Sequence, residues 1–213
     1  MRHTEEAVPG GHDLLLGAGL VAAPLFITVF LIEGFARPGY SAVRLPVSSL
    51  ALAPRGWIQQ TNFVATGALT LVLAIGVLQS AVSVWGGSML VVYAIGLIGA
   101  GVFVTGPVGG YTGRGADDTA VHDPARAVHL VFSLLVFTAL PAACFTVAGG
   151  LAPFGLAGWA GYSVLTGILV LVGIVLAGVP PLSAILGLVQ RLTIAVGWSW
   201  IFVFALLLLR SGH

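Results

Sequence analysis

The sequence predicts an all-α membrane protein, a compact bundle of six transmembrane helices forming one domain over residues 1–213. Three observations predict it. Of the 213 residues 58% are hydrophobic and only 7% charged, too few charges to cover a soluble domain of this size. The mean hydropathy is +1.09. The apolar residues fall into six runs of about 20, the length that crosses a bilayer core, with none of the roughly ten-residue alternating segments of a membrane barrel.

In chain order, the first helix is expected over 14–35, with Pro24 mid-span. The opening MRHTEEAVPGGH lacks the basic start and small-residue cleavage site of a signal peptide, so this helix is expected to stay in the mature protein. The second is expected over 57–80 and the third over 86–105. The fourth, over 126–148, follows Asp123-Pro124, which reads as an N-cap and a first helical residue. The fifth is expected over 154–178 and the sixth over 186–209. Thirty glycines fit helices that pack closely in lipid. The single cysteine, Cys144, lies in an apolar run and has no partner for an intrachain disulfide. The net charge of +1 argues neither for nor against a partner, but all eight basic residues are arginine and there is no lysine, which argues against nucleic acid.

The connections differ in kind. Those after the second and fourth helices, AVSVWG and GGLAPF, are short and uncharged. Those after the first, third and fifth share the opposite face, which carries Arg37, Arg44, Arg55, Arg114, Arg126 and Arg191, against Arg2 and Arg210 on the other. The positive-inside rule then makes segments 36–56, 106–125 and 179–187 cytoplasmic and leaves both termini outside. Arginines that serve a site would produce the same bias for another reason.

The first connection, RPGYSAVRLPVSSLALAPRGW, holds three of the eight arginines, three serines and a tyrosine between two long apolar segments, and the polar groups of the helices gather at its depth. Glu33 and Arg37 are four apart on one helical side. Gln59, Asn62, Thr66 and Thr70 make one stripe. Arg126, His129 and Ser133 make another, and Gln190, Arg191 and Thr193 open the last helix before Trp198 and Trp200. An ionisable group inside a bundle costs about 2.5–3.5 kcal/mol on insertion scales, so it is paired or lines a wet cavity. The simplest arrangement is a polar pocket at the charged face, floored by apolar side chains.

Plainer roles compete for each group. Arg55, Arg114 and Arg210 have the position of arginines that snorkel to headgroups. Glu33 with Arg37 also fits an interfacial ion pair, and the Asn62 stripe fits hydrogen bonding between helices. Trp57, Trp85, Trp159 and Trp198 fit an interfacial belt as well as a substrate wall. His129 lies a turn inside its helix and has the unperturbed pKa for proton transfer near neutrality. The third connection, GGYTGRGADDTAVHDPARAVH, holds the metal-ligand types Asp117, Asp118, His122, Asp123 and His129, so zinc or magnesium is conceivable. Its spacing matches no defined metal motif, and no metal or other cofactor is expected. No G-x-S-x-G, H-E-x-x-H or phosphate-loop motif occurs.

The run RPGYSAVRLPVSSLALAPRGWIQQTNFVATG, the pair Asp117-Asp118 with the later His129, and GLVQRLTIAVGWSW together resemble the bacterial integral membrane proteins grouped as domain of unknown function 998. The resemblance spans nearly the whole chain and implies a six-helix protein, multi-pass in a bacterial cytoplasmic membrane, with no established activity. By position it draws attention to Arg37, Tyr40, Ser41, Arg44, Ser48, Trp57, Asn62, His129 and Arg191.

The functional expectation is a membrane-embedded enzyme acting on a lipid or isoprenoid-like substrate by acid–base chemistry. Small polytopic terpene cyclases are analogous in kind, without a shared motif. Glu33, Asp117, Asp118 and His129 are the catalytic candidates. Arg37, Tyr40, Ser41, Arg44, Ser48, Trp57, Asn62, Gln190, Arg191 and Trp198 are the substrate-binding candidates, with the arginines holding an anionic or oxygenated head group through forked hydrogen bonds. The expected partners are membrane lipids and an apolar small molecule. A transporter or lipid-binding protein is the alternative, drawn from Pro24, the glycines and the Gly106-Pro107 and Pro180-Pro181 breaks. A structural subunit is a third.

Overall fold

The computed structural model describes residues 10–52, 54–111 and 124–211. Among them are six helices long and apolar enough to cross a membrane, so the chain is a multi-pass membrane protein. They are α1 (Gly11–Ala36), α2 (Gly56–Gln79), α3 (Val84–Val102), α4 (Pro124–Leu151), α5 (Ala157–Ala177) and α6 (Leu186–Ser211). Three short 3-10 turns, Val47–Ala51, Ala152–Phe154 and Pro180–Ile185, lie in the first, fourth and fifth connections.

The helix ends follow local chemistry. Ser83 caps α3, its hydroxyl accepting the Gly86 N–H at 2.9 Å. Pro124 starts α4, where a missing N–H costs nothing. α3 stops at Val102, three residues before the expected end, and the chain continues as a tight turn closed by Val108 and Tyr111. Gly109 and Gly110 both have positive φ there, 56° and 78°, as that turn requires.

Each helix packs against its neighbours in sequence, and α6 closes on α1, so the six make a ring. Glycines set the spacing on one side. A Cβ on Gly67 of α2 would lie 3.0 Å from the Ala94 carbonyl of α3, and one on Gly101 of α3 would lie 2.8 Å from the Gln60 carbonyl of α2. The two backbones approach closely there, as small residues at a helix interface allow.

Large side chains fill the centre of the ring. Phe26 of α1 stacks on Trp198 of α6 at 4.9 Å and touches Phe63 of α2 at 5.4 Å. Tyr93 of α3 meets Trp198 edge-on at 5.9 Å. Such pairs contribute about 0.5–1.5 kcal/mol each beyond the area they bury. Below this aromatic layer the core is aliphatic, with Leu16, Leu73, Val77, Leu90, Val147 and Leu208 buried.

Candidate functional site

The first connection folds back into the ring's mouth, held by two buried arginines. Arg191 of α6 donates through Nη1 to the carbonyls of Ala42 (2.6 Å), Leu45 (2.8 Å) and Gly187 (2.9 Å), and through Nη2 to the Tyr40 hydroxyl. Its guanidinium also lies against the Phe30 and Tyr40 rings, a cation–π contact. Tyr40 passes the hydrogen bonding on to the Pro46 carbonyl at 2.9 Å. Burial raises the Tyr40 pKa above its ordinary value, against the opposite pull of Arg191, so the hydroxyl stays a donor at neutral pH.

Arg37 does the same from α1. Its Nη1 donates to the carbonyls of Leu50 (2.6 Å) and Leu52 (2.7 Å), and its Nη2 to Glu33 at 2.8 Å. The other Glu33 oxygen accepts from Arg55. Gln190 accepts the Val47 N–H at 2.7 Å. The Leu188 N–H reaches the Val43 carbonyl at 3.0 Å, over Gly187, where a Cβ would overlap the Leu45 carbonyl. Backbone carbonyls buried at membrane depth need donors, and a fixed fork of donors supplies several from one side chain. The terminal nitrogens of both arginines are therefore committed to the chain itself.

Beneath the pinned loop lies a cavity of about 60 Å³ touched by all six helices. Space of about 10–15 Å³ on this measure holds one water, so the cavity takes several groups of that size. Phe26, Phe63, Tyr93 and Trp198 line its apolar part, and Ser48, His129, Ser133, Gln190 and Thr193 supply its polar atoms. His129 is buried, with Nδ1 2.6 Å from the Phe103 carbonyl and 3.2 Å from that of Ala100. Carbonyls only accept, so Nδ1 carries the proton. The other ring nitrogen, Nε2, belongs to a side chain that lines the cavity.

The expected site residues thus divide. Ser48, His129, Gln190 and Trp198 meet at the cavity. Glu33, Arg37, Tyr40 and Arg191 hold the loop. Ser41 and Arg44 face a separate outer hollow with Gly109, Tyr111 and Ser183. Trp57 is 63% exposed on the outside of α2, and Trp85 and Trp159 are also exposed on their helices, whereas Trp198 is 1% exposed. Asn62 ties α2 to α1, its Nδ2 donating to the Phe26 carbonyl at 3.1 Å. Thr66 and Thr70 donate back to carbonyls of their own helix. Gln59 is fully buried with neither amide atom paired among the described residues. Asp117 and Asp118, like His122 and Asp123, lie outside the described residues. Among those described, no three metal-ligating side chains converge.

Sequence reasoning missed Phe26, Phe63, Tyr93 and Phe137 as lining residues. Two had a signal. Phe137 continues the His129 and Ser133 stripe by one more step of four, and Tyr93 is the one tyrosine within the apolar run of α3.

The ring of spans and the arginine-pinned loop over an internal cavity define a polytopic α-helical membrane protein. The chain belongs to the family described as "Protein of unknown function (DUF998)", whose model matches residues 20–207. Neither a curated protein nor a solved structure matched the chain.

Proposed function

We propose that this protein is a membrane-embedded enzyme that takes the apolar chain of a lipid or isoprenoid-like molecule into the bundle and acts on its polar end by acid–base chemistry. One observation carries the reading. His129, with its tautomer fixed by two backbone carbonyls, lines a cavity walled by aromatic rings. A neutral imidazole held so presents a lone pair, which accepts a proton from a ligand group within reach. Ser133 and Thr193 are the hydroxyls positioned to orient that group. Arg37 and Arg191 enter this scheme as the groups that hold the roof, rather than as the head-group clamp. The organism is taken to be bacterial and the membrane its cytoplasmic one, with the arginine-rich face inward. Discounting the two loop-pinning arginines leaves Arg44, Arg55, Arg114 and Arg126 on that face against Arg2 and Arg210, so the bias keeps its sign.

A carrier is the second reading. Pro24 in α1 and Pro141 in α4 break the backbone ladder of two helices that face each other across the ring, as moving helices require.

The two readings separate in one experiment. Wild type and His129→Ala, gently solubilised, are extracted and their bound small molecules identified by mass spectrometry, before and after incubation. Under the enzyme reading, His129→Ala retains a chain-bearing species that the wild type converts. Equal retention of one unchanged species by both removes His129 as the base and favours the carrier. Empty protein in both cases removes the ligand reading altogether.

A further inference from the structure

A second hollow adjoins the cavity from the lipid side. It lies between α4, α5 and α6, measures about 80 Å³, and is lined by Phe137, Gly173, Ile174, Ala177, Gln190 and Thr193. Phe137, Gln190 and Thr193 also line the inner cavity. The two spaces thus share three lining side chains among the described residues.

The seam between α4 and α5 is loose where this hollow lies. From Pro124 to Thr138 of α4 the one buried residue is His129, and α5 buries nothing after Gly173. Leu130 and Leu134 are 65% and 63% exposed. Further along the seam the helices close up. A Cβ on Gly167 of α5 would lie 2.8 Å from the Phe145 ring of α4. Pro141 adds a mechanical reason. It has no N–H to donate to the carbonyl four residues back, which belongs to Phe137. The interruption of the helix's hydrogen-bond ladder therefore falls at a residue that lines both hollows.

We propose that the α4–α5 seam is a lateral portal, that Phe137 is its gate, and that the occupant is a single linear acyl or prenyl chain arriving from the leaflet on the arginine-rich side. This rests on the cavity reading above and specifies it: the ligand is drawn from the bilayer rather than from water. The surroundings fit such a chain. Apart from Gln190 and Thr193, every residue lining the outer hollow is apolar or glycine, and the exposed Leu130, Val131 and Leu134 alongside it face lipid. In the outward direction, the pinned first connection covers the cavity with Val47 and Ser48, held by the arginine and glutamine hydrogen bonds described above.

The test uses the full chain in phosphatidylcholine vesicles with a fatty acid carrying a diazirine near its tail. After illumination, labelled peptides are mapped by mass spectrometry in wild type, Phe137→Trp and Phe137→Ala. Label on the α3 peptide bearing Tyr93 and Leu97 reports the cavity. Label on Leu130 and Leu134 reports the lipid-facing surface and serves as the internal standard. The portal predicts that Phe137→Trp lowers cavity label at least fivefold relative to that standard and that Phe137→Ala raises it. Cavity label that is the same in all three overturns the portal and leaves the cavity as a chain-binding site. No cavity label in any of them, with Leu130 and Leu134 labelled, overturns both. If Phe137→Trp does not fold, unchanged cavity label in Phe137→Ala overturns the portal by itself.

Discussion

Arg37, Arg55 and Arg191 look alike in the sequence, each an arginine at a helix end near the charged face, and burial separates them. Arg37 and Arg191 are buried and hold carbonyls of the first connection, while the Arg55 side chain is 54% exposed. The Glu33→Gln change leaves the Arg37 guanidinium buried without its counter-charge. A buried pair broken on one side costs about 3–5 kcal/mol, so a large fall in melting temperature in detergent is expected. Arg55→Ala removes the other, exposed partner of Glu33, and exposed pairs are worth about 0–1 kcal/mol. Its melting temperature should stay close to the wild type. Equal losses in the two variants would contradict the division of roles. Arg191→Lys keeps the charge but not the fork of donors. It should destabilise the protein and expose the Tyr40–Leu45 segment to protease, whereas substitution of Arg44, which lies on the outer hollow, should not.

Among the elements, α6 and the first connection form one unit, because the loop carbonyls lie directly on Gly187. A methyl group there has no room, since its neighbours are the backbone oxygens of Leu45 and, at 2.6 Å, Ala42. Gly187→Ala should therefore lift the loop and cost stability on the scale of an overpacked core, about 1–3 kcal/mol. Gly161→Ala in α5 is the control, since its Cβ meets nothing within 4 Å. Alanine exceeds glycine by about 1 kcal/mol in helix propensity, so that variant should be neutral or more stable. Thermal unfolding of the two side by side checks both. The same logic explains why α4 and α5 read as ordinary spans in sequence. Apolar residues facing lipid and apolar residues facing a neighbour have the same composition, so a loosely packed seam leaves no mark in hydropathy.

For the whole molecule, orientation is the open quantity that a cysteine test resolves. Cys144 is buried, so Cys144→Ala offers a clean background. With the arginine-rich face inward, Ala152→Cys, in the connection after α4, should react with an impermeant maleimide applied to intact cells. Arg44→Cys should react only once the membrane is opened. The reverse pattern would overturn the inward placement of the arginine-rich face.

Hydropathy, motifs and residue spacing along the chain were enough for the class of protein, the six spans to within a few residues at each end, the family, and the gathering of polar groups at one face. These follow from local quantities: hydropathy over a span's length, prolines and glycines at the ends, and spacings of three and four along a helix. Tertiary structure alone decided what each polar group does there. His129 and Ser48 came to a cavity, Arg37 and Arg191 were taken up by backbone carbonyls, and Trp57 turned outward while Trp198 turned in. The reason is physical. A buried carbonyl at membrane depth must find a donor, and which side chain supplies it depends on how the first connection folds into the ring. That is a contact between residues about 150 positions apart, which no local pattern encodes.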